Sequence, residues 1–162
     1  VRILGIDPSV RCTGYAILES VGKTPTAIFF GKIQNPPRLT QAECAFRIYQ
    51  TIRGLILEYR PEEVAMEGVI YVQNTRTAVA LGGARGAAMA AIGEGNLPFF
   101  EYPAKSVKKA VTGTGGAQKN QVGFMMRAIL GLKETPGPDE ADALAIAMAH
   151  AQARVIGRLK AE

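Results

Sequence analysis

The spacing of apolar and polar positions divides the chain into five strands and five helices. Val1 to Asp7 is a nearly unbroken apolar run, the pattern of a strand buried on both faces, and Pro8 and Ser9 break it. Thr13–Glu19 and Thr26–Ile33 read as two further strands, so the chain opens as a meander of hairpins that Asn35-Pro36-Pro37 ends. Thr40 and Glu43 match a capping box and start a helix that Pro61 stops. Its expected buried face carries Ala42, Ala45, Phe46, Tyr49, Ile52, Ile56 and Tyr59. Glu63–Glu67 is a short fourth strand, followed by an irregular polar stretch from Gly68 to Asn74. A long helix rich in small residues spans 75–93, and Leu97–Tyr102 is a fifth strand. Helices then follow at Ala104–Val111, at Gln118–Leu130 (burying Val122, Met125, Met126 and Ile129) and from Asp139 to about Gly157.

Three antiparallel strands followed by crossovers to two more predict an α/β fold, a mixed five-stranded sheet with helices on both faces. The whole chain, 1–162, reads as one domain without repeat or linker. At this length a domain buries about two thirds of its unfolded surface and needs no disulfide staples. Cys12 and Cys44 form no CxxC and read as reduced thiols of a cytoplasmic protein. No secretory signal is expected, because the chain opens directly into a strand. The most apolar stretch, Thr77–Gly93, has Arg85 at its centre and is too short to span a bilayer.

Charge sharpens this outline. Between Tyr102 and Lys133 there is no Asp or Glu, while Lys105, Lys108, Lys109, Lys119, Arg127 and Lys133 all fall there. That segment carries +6 and the rest of the chain −1, the footprint of a polyanion site or of a solvated basic surface. Lys119 also follows the loop Thr112-Gly113-Thr114-Gly115-Gly116 into a helix start, a natural phosphate seat.

The acids are distributed just as unevenly. Only three are Asp: Asp7, Asp139 and Asp142. Asp7 ends the first strand and Glu67 the fourth, so the two lie side by side if those strands are neighbours. Asp139 and Asp142 are three apart on the last helix and share a face, with Ile146 in line and Ala141, Leu144, Ala145 and Met148 on the other side. Singly, each acid has an ordinary use as a turn cap, a helix start or a solvated strand end. Gathered together they need a counter-charge, and hard divalent cations supply one. Two such ions suit phosphodiester cleavage.

These residues also carry a resemblance. Gly5-Ile6-Asp7-Pro8-Ser9 with Thr13-Gly14-Tyr15, then Ala65-Met66-Glu67, then Leu81-Gly82 with Ala84-Arg85-Gly86, then Asp139-Glu140-Ala141-Asp142-Ala143-Leu144-Ala145-Ile146-Ala147 resemble, in order, the motifs of the RuvC Holliday-junction resolvases. The resemblance implies a ribonuclease H-like fold and a homodimer, paired through helix 75–93, that binds four-way DNA junctions. It implies symmetric nicking of two strands of like polarity in recombination and repair, beside a branch-migration complex, with no membrane partner. It further implies that Asp7, Glu67, Asp139 and Asp142 hold Mg²⁺ or Mn²⁺, two ions per site, and that Lys108 and Lys119 match family lysines. Many members carry Gln and an aromatic residue after the second acid. Here Gly68, Ile70 and Tyr71 stand in that run, so Ile70 or Tyr71 would meet a base, with Gln73, Asn74 and Arg76 as further DNA contacts. A nuclease of this fold acting on structured RNA and a non-cutting junction-binding module are the alternatives. A nucleotide-binding lobe of the actin type is a further alternative, disfavoured by length and by the lack of a second Asp-x-Gly. His150, the sole histidine, reads as structural.

Overall fold

The computed structural model describes residues 1–21, 24–69 and 74–159. The elements follow in the expected order: β1 (Arg2–Asp7), β2 (Cys12–Glu19), β3 (Thr26–Gln34), α1 (Gln41–Tyr59), β4 (Glu63–Gly68), α2 (Thr75–Glu94), β5 (Phe99–Pro103), α3 (Ala104–Thr112), α4 (Lys119–Leu130) and α5 (Pro138–Leu159). They build one five-stranded sheet in the order β3-β2-β1-β4-β5. β1–β2 and β2–β3 are antiparallel, while β1–β4 and β4–β5 are parallel. The apolar run of β1 thus lies at the centre, and Ile3, Leu4 and Ile6 are fully buried.

Alternation along β1 sends Leu4 and Ile6 to one face and Ile3 to the other. Leu4 and Ile6 join Ile48, Ile52 and Leu55 of α1 and Ala84, Ala88 and Ile92 of α2. Ile3 joins the α5 side, where Val107, Val111, Val122 and Met126 of α3 and α4 close the core.

Two sequence expectations are corrected here. The Thr40–Glu43 capping box is present, with Glu43 N–H donating to Thr40 Oγ1 at 3.2 Å and Thr40 N–H to the Glu43 carboxylate at 2.7 Å. The buried stripe of α1, however, runs through Cys44, Ile48, Ile52 and Leu55, while Ala42 and Phe46 are exposed. The expected face was rotated because Cys44 fills a core position and Phe46 does not. Second, α5 packs on both sides along its middle rather than only on the side opposite its acids. Every residue from Ala143 to His150 is buried, because the sheet covers one side and α3 and α4 cover the other. Among the described residues no helix is long and apolar enough to cross a membrane.

Candidate active site

Asp7 and Glu67 leave the ends of adjacent parallel strands, with Ile6 in register beside Met66. Like Ile3 on β1 and Ala65 on β4, they fall on the α5 side of the sheet. The turn after Asp7 is fixed by Thr13, a fully buried residue whose hydroxyl donates to Ser9 O at 2.6 Å and accepts Ser9 N–H at 3.1 Å. Asn35 ties the same turn to α1, donating to Val10 O at 2.8 Å and accepting Arg47 Nε–H at 2.8 Å.

Asp139 and Asp142 arrive from the first turns of α5, which two glycines draw onto the sheet. A Cβ on Gly5 would stand 2.3 Å from Ala143 O and 2.8 Å from Ala147 Cβ, and one on Gly14 would stand 2.0 Å from Asp139 O. Any side chain at either position would lift the helix and its acids away from β1 and β2.

Burial, then the charges of Asp142, Glu67 and Asp139, push the Asp7 carboxyl from 3.8 up to about 7, against the pull of Lys119. Burial and Asp142 likewise raise Glu67, opposed by Lys108, Lys119 and Arg85. Burial raises Asp142 as well, opposed by Lys119 and Lys108. Lys119 Nζ lies 3.7 Å from Asp142 Oδ2. The structure thus brings together Asp7, Glu67, Asp139, Asp142, Lys108 and Lys119, as expected from sequence. The acids hold more negative charge than the two lysines balance, which fits a site for hard cations. Among the described residues no three ligating side chains close into a ready cage. Mg²⁺ suits such an open donor set, because it keeps waters and takes phosphate oxygens beside one or two carboxylates.

The Asp7 proton makes the fold pH-dependent. Without metal, the folded chain keeps this proton up to about pH 7, whereas an unfolded chain releases it near 3.8. The folded state therefore holds the extra proton between these values. Stability from it is full below about pH 4, falls as pH rises through about 7, and is flat above. Thermal melts in EDTA should show Asp7→Asn more stable than the parent at pH 8, by about 4 kcal/mol, with the gap closing toward pH 4. Parallel melting profiles for the two proteins would contradict the buried proton.

The other sequence candidates are dispersed. Lys105 and Lys109 are exposed on the side of α3 opposite the buried Val107 and Val111, while Lys108 is half-buried at the edge of that buried face. Asn74 caps α2, accepting Arg76 N–H at 2.9 Å and Thr77 N–H at 3.2 Å, which gives it a structural task beside any DNA contact. Arg76 is exposed. Ile70, Tyr71 and Gln73 lie outside the described residues. Sequence reasoning missed Arg85 as a part of the site. From α2 its guanidinium donates to the backbone carbonyl of Glu67 and to the Glu101 carboxylate, fixing the end of β4. Its place at the centre of an Ala/Gly-rich helix was the available signal. His150 is structural, as expected: it is buried, with Nε2 at 2.6 Å from Glu63 and Nδ1 at 2.7 Å from the Tyr102 hydroxyl. Burial pushes Glu63 upward, but hydrogen bonds from His150 and Arg154 outweigh it and hold the carboxyl below its ordinary value.

Comparison with known proteins places this geometry. Residues 3–150 match the family model of the crossover junction endodeoxyribonuclease RuvC. The RuvC of Akkermansia muciniphila is 45% identical over 150 residues, 93% of this chain and 90% of that protein. The structure of Thermus thermophilus RuvC superposes with a TM-score of 0.86 at 34% identity, covering 97% of both chains. T. thermophilus RuvC in complex with Holliday junction substrate superposes at 0.88 with 30% identity and the same coverage. The mixed sheet is that of these proteins, a ribonuclease H-like fold. Matched over nearly its whole length in sequence and in fold, the chain belongs to the RuvC family of crossover junction endodeoxyribonucleases.

Proposed function

We propose that the chain resolves four-way DNA junctions as a homodimer, nicking two strands of like polarity with the aid of Mg²⁺ or Mn²⁺. The observation that carries this reading is the convergence of Asp7, Glu67, Asp139 and Asp142 at one end of the sheet, opposite Lys108 and Lys119. The four acids would hold the cations, two per site. When bound, divalent cations supply Lewis acidity toward phosphate oxygens and toward the attacking water. The chain's own residues do the positioning. Lys119 draws the scissile phosphate toward Asp142, and Lys108 neutralises the neighbouring backbone. Arg85 and Gly14 hold Glu67 and Asp139 where the phosphate must arrive.

α2 supports the dimer. Val79 and Met89 are exposed, and among the described residues nothing outside the helix's own turn lies within 4 Å of a Cβ added at Gly82, Gly86 or Gly93. Small residues along an open face allow close helix approach across a two-fold axis, and that symmetry suits a junction with two like strands to cut.

The test is cleavage of a labelled four-way junction, with matched duplex, single-stranded DNA and structured RNA alongside. Paired symmetric nicks in the junction alone are expected. Cutting confined to RNA, or tight junction binding without cutting under either metal, would overturn the proposal. Lys108→Ala should weaken junction binding and lower the slope of log affinity against log salt by about one. Anisotropy titrations in EDTA measure this, and an unchanged slope would remove Lys108 from the phosphate contacts.

A further inference from the structure

One polar side chain at the edge of the four acids has no part in the reading above. Cys12 opens β2, and its thiol donates to Asp139 Oδ2 across 3.0 Å. Cys12 and Gly14 are successive residues on the α5 face of β2, the face that Ala16 and Leu18 also line. They treat Asp139 in complementary ways. Gly14 leaves space for its backbone carbonyl, while Cys12 meets its carboxylate. The next residue of α5, Glu140, is met from β3 by Lys32 at 3.8 Å, so the helix start is seated on both strands.

We propose that Cys12 is a positioning residue for cutting: its thiol fixes the Asp139 carboxylate so that this group meets a divalent cation in one orientation. The inference rests on the metal-dependent reading above and deepens it. The hydrogen bond engages Oδ2 and leaves Oδ1 to the cation. A thiol is a weak donor, so it orients the carboxylate without drawing off much of its charge. Partners of this kind behind a ligating carboxylate set its metal affinity, and losing one costs about tenfold or more when the donor is strong. For an S–H donor the loss should be about threefold to tenfold.

Four proteins decide the matter: the parent, Cys12→Ser, Cys12→Ala and Cys12→Val. Two readouts are needed. One is Mn²⁺ binding by the full chain without DNA, followed by the electron paramagnetic resonance of free Mn²⁺. The other is the Mg²⁺ dependence of single-turnover junction cutting. Cys12→Val keeps the bulk without the donor, and Cys12→Ser keeps a donor. The Val and Ala variants should bind Mn²⁺ about threefold to tenfold more weakly and need correspondingly more Mg²⁺, with the saturated rate restored. The Ser variant should stay within about twofold of the parent in both measurements. A Val variant equal to the parent would overturn the positioning role alone. So would a Ser variant as impaired as Val, because packing would then explain both. A parent that neither binds Mn²⁺ nor cuts would overturn the function proposed above and this role with it.

Discussion

Asp7→Asn protein should bind a four-way junction at least as tightly as the parent and cut it about a thousandfold more slowly or worse, a loss of about 4 kcal/mol in transition-state stabilisation. Asp7 is the acid on which the site's electrostatics bear most heavily. It is central in the sheet, and Asp142, Glu67 and Asp139 all raise its proton affinity. Above about pH 7, replacing it with the isosteric amide removes one negative charge from a crowded site, which eases the approach of a phosphate while removing a proposed cation ligand. Binding and cutting should therefore move in opposite directions. Single-turnover cleavage beside anisotropy titration separates them. A residual rate within tenfold of the parent would take Asp7 out of the reaction centre.

The second large effect is expected at Gly14. An alanine Cβ there would lie 2.0 Å from the Asp139 carbonyl oxygen and 2.7 Å from its carbon, both backbone atoms. β2 is paired on both sides, by β1 and by β3, so the strand cannot yield and the start of α5 must lift. Overpacking of this kind costs about 1–3 kcal/mol. A loss of 2 kcal/mol lowers the melting temperature by roughly 4–8 °C in a domain of this size. The catalytic loss should be larger than the stability loss, because displacing reacting groups by about 1 Å can cost 10²-fold in rate. Gly54→Ala is the matched control: it lies in α1 with nothing among the described residues within 4 Å of the added Cβ, and should gain up to about 1 kcal/mol. Circular dichroism, melts and cleavage of both variants check the pair. A Gly14→Ala protein that cuts at the parental rate would show that α5 does not depend on this close approach.

Much of this architecture could be read from local pattern. The apolar run of β1, the turn residues after it and the acid spacing on α5 placed the strands and the three elements that carry the four acids. The positions that escaped were set by distant parts of the chain. α1 was rotated because periodicity alone could not tell that Cys44 is buried and Phe46 is not. α5 was read as two-sided, since its many alanines are compatible with either surface or core until the elements around it are known. Arg85 looked like a charge interrupting a small-residue helix, yet it reaches the Glu67 carbonyl. Cys12 looked inert, because its partner lies 127 residues away. In each case the missing information was a tertiary neighbour, which neither propensity nor composition encodes.

The seating of α5 has a consequence for the order of synthesis. It is the last element of the chain described here, and it contacts all five strands together with α3 and α4. While the chain is being made, β1 to β5 can pair and α1 and α2 can cover one side of the sheet, but the opposite side stays open until residues 138–159 emerge. During that interval Asp7 and Glu67 stand without Asp139 and Asp142. On the function proposed above, the nascent protein would lack a complete cutting centre until the segment that also closes its core has emerged.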